Sequence, residues 1–452
     1  MIRRRILNPF FLGALAGGVV AAPIQFVSPF GTNSQASRTT ENETAAPEGL
    51  VSAPDDFWRR DSLTGEWDGM RDELADQGFS ITPVYEGEVF GSIGTGHDGV
   101  IADGLTDVAL DVDLERVTHI WQDAVFHFNV LDIYGDSLSQ KYVGDFSGTS
   151  NLAGFNTIRL QEIWVQQSLW EKRISIRAGM LAADSEYFGS QAASLFLNGT
   201  FGAFTLVAAN FHKAPVYPVA APAVRLDVAP VSFLDFKLGA FAPNENAENY
   251  NHGTDFGINR KDGALIVAEA AYLLNQSPND RGLVGTYKLG ALIQRGDYAT
   301  WSSQAANALD PDATLHHGTN WAFYAIGDQE IWKNGQSSIE AFARAGFASA
   351  QYSFVNNYFD AGLNFLGFVP GRDFDVVGIA VARSGIGDHF SDAQVEQGSL
   401  PLTSETVIEL TYKATITPWW SLQPDLQYVL NPSGVVHSPD AFVMGLRTTI
   451  TF

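Results

Sequence analysis

At 452 residues the chain can hold two or three soluble domains or one large barrel, so length alone does not choose between them. It has no cysteine, which excludes a disulfide framework, a thiolate metal site and a cysteine nucleophile. A formal charge of -24 speaks against nucleic acid as a partner, because phosphate binding depends on clustered Lys and Arg.

In chain order, Arg3, Arg4 and Arg5 precede an apolar, small-residue run from Phe10 to Ala22, so residues 1–22 read as an export signal. Pro23 sits awkwardly behind a cut at Ala22, and cleavage after Ala21 or near Ala36 stays open. The run is shorter than the roughly 20 residues a spanning helix needs, which weighs against a membrane anchor. Residues 23–55 have little to bury and read as a disordered linker, most plainly from Ser34 to Asp55. In residues 56–78, Thr64 is placed to cap one short helix in which Trp67, Met70, Arg71 and Leu74 share a face, with Gly78 ending it. No other segment gives a helical pattern of comparable strength.

From Phe79 the pattern has period 2. Val108, Leu110, Val112 and Leu114 alternate with Asp111, Asp113 and Glu115; Ala124, Phe126, Phe128 and Val130 alternate with His127 and Asn129. Ile174, Ile176 and Ala178 alternate with Arg173, Ser175 and Arg177, forming a hairpin with 158–167. Similar runs cover Ile339 to Phe347 and Ile408 to Ile416. Alternation alone fits a soluble sandwich or a membrane barrel equally.

Three features favour the membrane. The segments are about ten residues long, the length of a tilted spanning strand. Trp121, Trp164, Trp170, Trp321, Trp332, Trp419 and Trp420 lie near segment ends, as interfacial girdles require. The last run, Phe442 to Phe452, alternates up to a terminal aromatic. The expected fold is therefore all-β: a transmembrane antiparallel barrel over residues 79–452, of about 16 strands, with 14 or 18 open. External loops are expected at Gly135–Asn156, Ala242–Arg260, Trp301–Asn320 and Arg383–Thr403.

The chain resembles the carbohydrate-selective porin family known as OprB. The resemblance opens on Leu63, Thr64, Gly65, Trp67, Gly69, Arg71, Leu74 and Gly78, continuing through Tyr85, Gly87 and Glu88. Its middle part is Glu162, Trp164, Arg177, Gly179, Phe188 and Asn198. It is most specific near the end, at Glu405, Glu409, Tyr412, Gln423, Pro424, Asp425, Gln427, Tyr428, Pro432, Gly434, Gly445, Leu446, Arg447 and Phe452. The segment from about Pro23 to Asp55 departs from the family's short lead. The resemblance implies a periplasmic helical segment at 56–78 and an outer-membrane pore passing mono- or disaccharides without cofactor, metal or catalysis. It further implies outer-membrane lipid around the barrel and assembly machinery acting on the strand that ends in Phe452. Homo-oligomerisation is left open.

A sugar pore needs donors and acceptors matched to hydroxyls, and aromatic faces for the ring. Candidates on the lumenal phase are Glu88, Glu162, Trp164, Arg173, Arg177, Glu340, Arg344, Glu409, Lys413, Asp425, Gln427 and Arg447, with Asn129 and Gln166 as neutral partners. The same charges also fit ion-pair ladders that merely brace the wall, and Trp164 fits an interfacial girdle better than a sugar slide. Asp111 and Asp113 read as a solvated stripe rather than metal ligands. The competing functions are a general or cation-preferring porin and, more remotely, an exported glycoside hydrolase with two carboxylates, for which no nucleophile motif is present.

Overall fold

The alternation folds into sixteen antiparallel strands among the described residues. These are β1 (Phe79–Ile93), β2 (Gly99–Asp113), β3 (Ala124–Gly135), β4 (Thr157–Leu169), β5 (Ile174–Leu181), β6 (Ala221–Val231), β7 (Leu234–Phe241) and β8 (Ala264–Leu274). The second half comprises β9 (Gly285–Ala299), β10 (His317–Asn334), β11 (Ser337–Ala348), β12 (Val355–Leu366), β13 (Val376–Ile386), β14 (Ser404–Thr417), β15 (Trp420–Leu430) and β16 (Ala441–Thr451). This computed structural model describes residues 57–452 apart from 212, 244–250, 259–262 and 278–279. The expected export signal and linker lie outside the described residues, as does part of the loop expected at 242–260.

Each strand pairs with the next, and β1 pairs with β16 from Val84↔Thr451 to Ile93↔Phe442, so the sheet closes and leaves no open edge. On β2, Val100 and Val108 face outward and are exposed, whereas Asp103 and Asp111 face inward and are buried. An apolar outer wall around a polar interior is the arrangement that survives in lipid.

Both chain ends of the barrel lie at the end that carries the short β2–β3, β4–β5, β6–β7, β10–β11 and β14–β15 turns. The N-terminal segment straps onto the closing strand there: Leu63 N donates to Thr451 O (2.8 Å), and Arg71 Nη2 donates to Phe452 O (2.9 Å). The expected helix is present at Met70–Asp76, but Gly69 precedes it and Thr64 is no cap. Instead the Thr64 hydroxyl accepts from Trp67 Nε1 at 2.9 Å, because a one-turn 3-10 segment at Trp67–Gly69 separates the two. The tryptophans do not form one girdle. Trp121, Trp170 and Trp332 are exposed at this end and Trp321 near the other, whereas Trp419 is buried between Phe57 and Trp58.

The far end carries the long connections. Short helices there escaped the periodicity reading because each spans too few turns to show one; the longest, Trp301–Leu309 and Asp388–Glu396, meet through Trp301 and Phe390, whose rings are 4.7 Å apart. The β3–β4 connection, expected outside, turns into the lumen, where Ser147, Thr149, Ser150 and Asn151 are buried. The β5–β6 connection, residues 182–220, also folds inside. It carries its own apolar core: Phe188, Phe196, Phe201 and Phe204 are at most 1% exposed. They pack on the inward aromatics of β10–β12, with Phe188–Tyr324 at 5.4 Å, Phe196–Phe342 at 5.6 Å and Phe204–Tyr358 stacked at 5.2 Å. Each such ring contributes about 1.5–3 kcal/mol of burial, so the inner loop is a packed element and not a tether.

Candidate functional site

The lumen is narrowed by these two inner loops, and charged side chains of the strands hold them. Arg177 on β5 and Arg225 on β6 face each other in register, and Glu186 of the inner loop lies between them as an ion pair to both, 2.9 Å from Arg225 Nε. Gln166 Oε1 accepts from Arg177 Nη2 (2.9 Å) and Arg225 Nη2 (3.0 Å). Burial pushes the Glu186 carboxyl up, but the two guanidiniums outweigh it and hold it down at about 2.

A second clamp is the pair of Arg344 and Asp360, joined by two parallel bonds at 2.5 and 3.1 Å, while Arg344 also donates to Gly202 O (2.8 Å) and Thr200 O (3.0 Å) of the loop. Both side chains are fully buried. A third joins Arg447 to Glu88 and to Asn151 of the other inner loop, with Ser150 Oγ donating to Glu88 at 2.5 Å.

Carboxylates and amides complete the seam. Glu409 accepts from Leu197 N (2.5 Å) and Asn198 N (3.0 Å); Glu405 accepts from Phe146 N (3.1 Å) and Ser147 N (2.8 Å). Gln427 donates to Thr149 O (2.8 Å) and to Asp425 (2.9 Å), and accepts from Asn198 Nδ2 (2.9 Å). Glu162 accepts from Ala182 N (2.7 Å) and Ser185 Oγ (2.9 Å) where the loop begins. A bulge places it there: Asn129 pairs with Glu162 and Val130 with Leu160, so Gln161 is the extra residue.

The candidates therefore separate into groups. Glu88, Glu162, Arg177, Arg344, Glu409, Gln427 and Arg447 bind loop atoms, and buried Asp425 supports Gln427. Glu340 and Lys413 face the lumen, half-buried, with no hydrogen-bond or ion-pair partner among the described residues. Arg173 lies just outside strand β5 and is exposed. It closes an exposed turn, because Trp170, Glu171 and Lys172 all take left-handed backbone (φ 51, 54 and 64) and β5 starts only at Ile174.

Trp164 is neither girdle nor slide. It is buried inside, with His127 stacked on one face (4.6 Å) and the Arg177 guanidinium on the other (3.6 Å), so no face remains for a sugar ring. Of the acidic stripe, Asp111 contacts His127 Nδ1 at 2.8 Å, and Asp113 caps the short helix Leu114–Thr118.

Pattern reading missed the loop-side and cross-strand partners Glu186, Arg225, Asp360, Glu269 and Asp328. Glu269 accepts from Phe188 N (3.3 Å), and Asp328 accepts from Ser190 Oγ (2.5 Å). The one available signal was the long stretch 182–220, which has no period-2 pattern yet is rich in Phe and Ala. Gly378 of β13 also belongs to the seat. A Cβ there would stand 2.6 Å from Leu195 Cδ2 and 2.9 Å from the Phe196 ring. Gly378→Val is expected to push this stretch off the wall, at about 1–3 kcal/mol for overpacking, and to lower single-channel conductance in planar bilayers. Unchanged conductance and stability would show that the loop does not rest on this glycine.

The family model described as carbohydrate-selective porin, OprB family, matches residues 97–452. The chain belongs to that family. It is an outer-membrane porin through which small carbohydrates diffuse, a channel and not an enzyme. Among curated relatives, Porin B of Pseudomonas aeruginosa is 24% identical over 441 residues, covering 90% of this porin and 94% of that protein. The high-pH structure of Pseudomonas putida OprB superposes with a TM-score of 0.80 at 23% identity, covering 88% of this porin and 100% of that chain. The low-pH structure of the same protein gives 0.56 at 19% identity, covering 87% and 99%. The Met70–Asp76 helix of this porin lies at the barrel end that carries the short turns.

Proposed function

We propose that this porin passes mono- and disaccharides through an aperture whose shape is fixed by the clamped inner loops and whose free polar groups are Lys413 and Glu340. The observation that carries this reading is the division of labour in the lumen. Six of the ten charged candidates, Glu88, Glu162, Arg177, Arg344, Glu409 and Arg447, are committed to loop atoms, which keeps the aperture rigid, while an ammonium on β14 and a carboxylate on β11 keep their hydrogen-bonding capacity for solute. One donor and one acceptor on opposite sides of two intervening strands suit a neutral polyol better than an ion. Contacts this sparse are weak, as release requires.

Liposome swelling with glucose, a disaccharide, a neutral amino acid and an anion of similar size tests the reading. Faster swelling for the sugars is expected, and Lys413→Ala and Glu340→Ala should each slow sugar entry by up to ~10-fold, the loss of one hydrogen bond worth ~0.5–1.5 kcal/mol. Equal rates for all four solutes would reduce the protein to a general pore. A cation-preferring pore is the second reading, favoured by the inward carboxylates Glu86, Asp103 and Asp107 on β1 and β2. A reversal potential showing strong cation selectivity, with no preference for sugars, would select it.

A further inference from the structure

The outer wall carries a groove that the transport reading does not use. It has a volume of about 470 Å³ and runs along β8. Its floor is Ala268 and Ala270, consecutive outward positions of β8, extended by Ala291 of β9. Its sides are Phe236 and Leu238 of β7 and Leu289 of β9, all exposed. The register explains the shape. One row across the wall reads Val228, Phe236, Ala270, Leu289, and the next reads Leu226, Leu238, Ala268, Ala291, Phe323, so alanine recurs where the neighbouring strands present large side chains.

Depth in the membrane follows from what closes the groove. The next outward residue of β8 toward the periplasm is Tyr272, stacked on Tyr287 of β9 at 6.4 Å and edge-on to Phe233 of the β6–β7 turn at 6.2 Å. Such a belt of tyrosine and phenylalanine sits at headgroup level, so the groove opens immediately on its hydrocarbon side, in the periplasmic half of the bilayer. A trough one side chain wide, lined mainly by apolar side chains with Lys237 and Glu269 also at its wall, and ending at the headgroup belt, matches a single extended hydrocarbon chain whose polar end lies at Tyr272 and Tyr287.

We propose that this groove is a specific seat for one acyl chain of a glycerophospholipid of the periplasmic leaflet. The chain fills space that the three alanines leave, and its headgroup emerges over the tyrosine belt. Dispersion contacts along both walls hold it longer than the surrounding lipid.

Native mass spectrometry of the whole porin, extracted in mild detergent and supplied with phosphatidylethanolamine, tests this. The wild type is expected to retain one phospholipid per barrel at activation energies that strip the rest. Ala268→Phe combined with Ala270→Phe fills the trough and should reduce that retained species at least fivefold. Ala102→Phe, on the outward face of β2 away from the groove, should leave it intact. Sugar swelling rates serve as the folding check and should be unchanged in both variants. Equal retention in wild type and the filled variant would overturn the proposal by making the groove ordinary lipid-facing wall. Dimers or trimers seen for the wild type and lost in the filled variant would overturn it too, assigning the groove to a second copy.

Discussion

Arg344→Ala is expected to widen the pore and abolish its preference among solutes. Arg344 and Asp360 are both fully buried, and removing the guanidinium leaves Asp360 with only Tyr358 Oη (2.6 Å) to answer its charge. Breaking one side of a buried pair costs about 3–5 kcal/mol, and here the loss extends to the loop, since the Gly202 carbonyl loses its Arg344 donor and the Thr200 carbonyl is left competing with Asp360 for the single Tyr358 hydroxyl proton, 2.9 Å away. The stack of Arg344 on Phe204, at 5.2 Å, goes with it. The loop should therefore loosen over Gly199–Phe204, while the barrel's ladder of backbone bonds stays closed. In planar bilayers this predicts a larger and noisier unitary conductance, and in liposomes similar swelling rates for sugars and amino acids. Arg344→Lys keeps the charge but not the parallel bonds and should fall between the two. A quiet channel with wild-type conductance from folded Arg344→Ala protein would refute the view that this clamp sets the aperture.

The phase of the strands was legible because it depends only on neighbours in sequence. Glu409, Arg344 and Arg177 sit on the polar side of a period-2 run, and a closed sheet in lipid can only turn that side inward. Arg173 shows where counting fails: it has the same parity as Arg177, but three successive left-handed residues end the strand before it. What the inward groups do was not legible, because their partners lie far away along the chain. Glu409 meets Leu197 and Asn198, and Arg447 meets Asn151, only once the loops have folded into the lumen. The fold of those loops is set by aromatic packing against Tyr324, Phe342 and Tyr358, for which no local pattern codes. Gly378 carries no local signal either; its role comes from the side chains that approach it. Phe188 and Asn198 did stand out by family resemblance, and both prove to be anchoring points, to Glu269 and to Glu409 with Gln427.

Glu186→Gln should destabilise the porin by an amount that depends on pH. The carboxylate is the shared counter-ion of Arg177 and Arg225, and the amide keeps its shape but leaves two buried guanidiniums opposed across β5 and β6, with Asp227, 3.5 Å from Arg225, and Glu162, near Arg177, as remaining acidic neighbours. In the folded chain this carboxyl is held at about 2 against an ordinary value of 4.5. A depressed carboxyl contributes stability that is fully present above its unfolded pKa and is lost as pH falls through its folded one. A depression of that size corresponds to on the order of 3 kcal/mol at neutral pH, in line with the cost of breaking a buried pair. Thermal unfolding in detergent should therefore separate wild type from variant most widely at pH 7. The separation should begin to close below about 4.5 and nearly vanish toward about 2, where the wild-type carboxyl is itself protonated. The glutamine variant should also conduct with more fluctuation, because Glu186 ties the start of the inner loop to both β5 and β6. A stability difference that stays constant from pH 7 to pH 2 would mean that the loss comes from packing, and that the ion pair does not hold the loop.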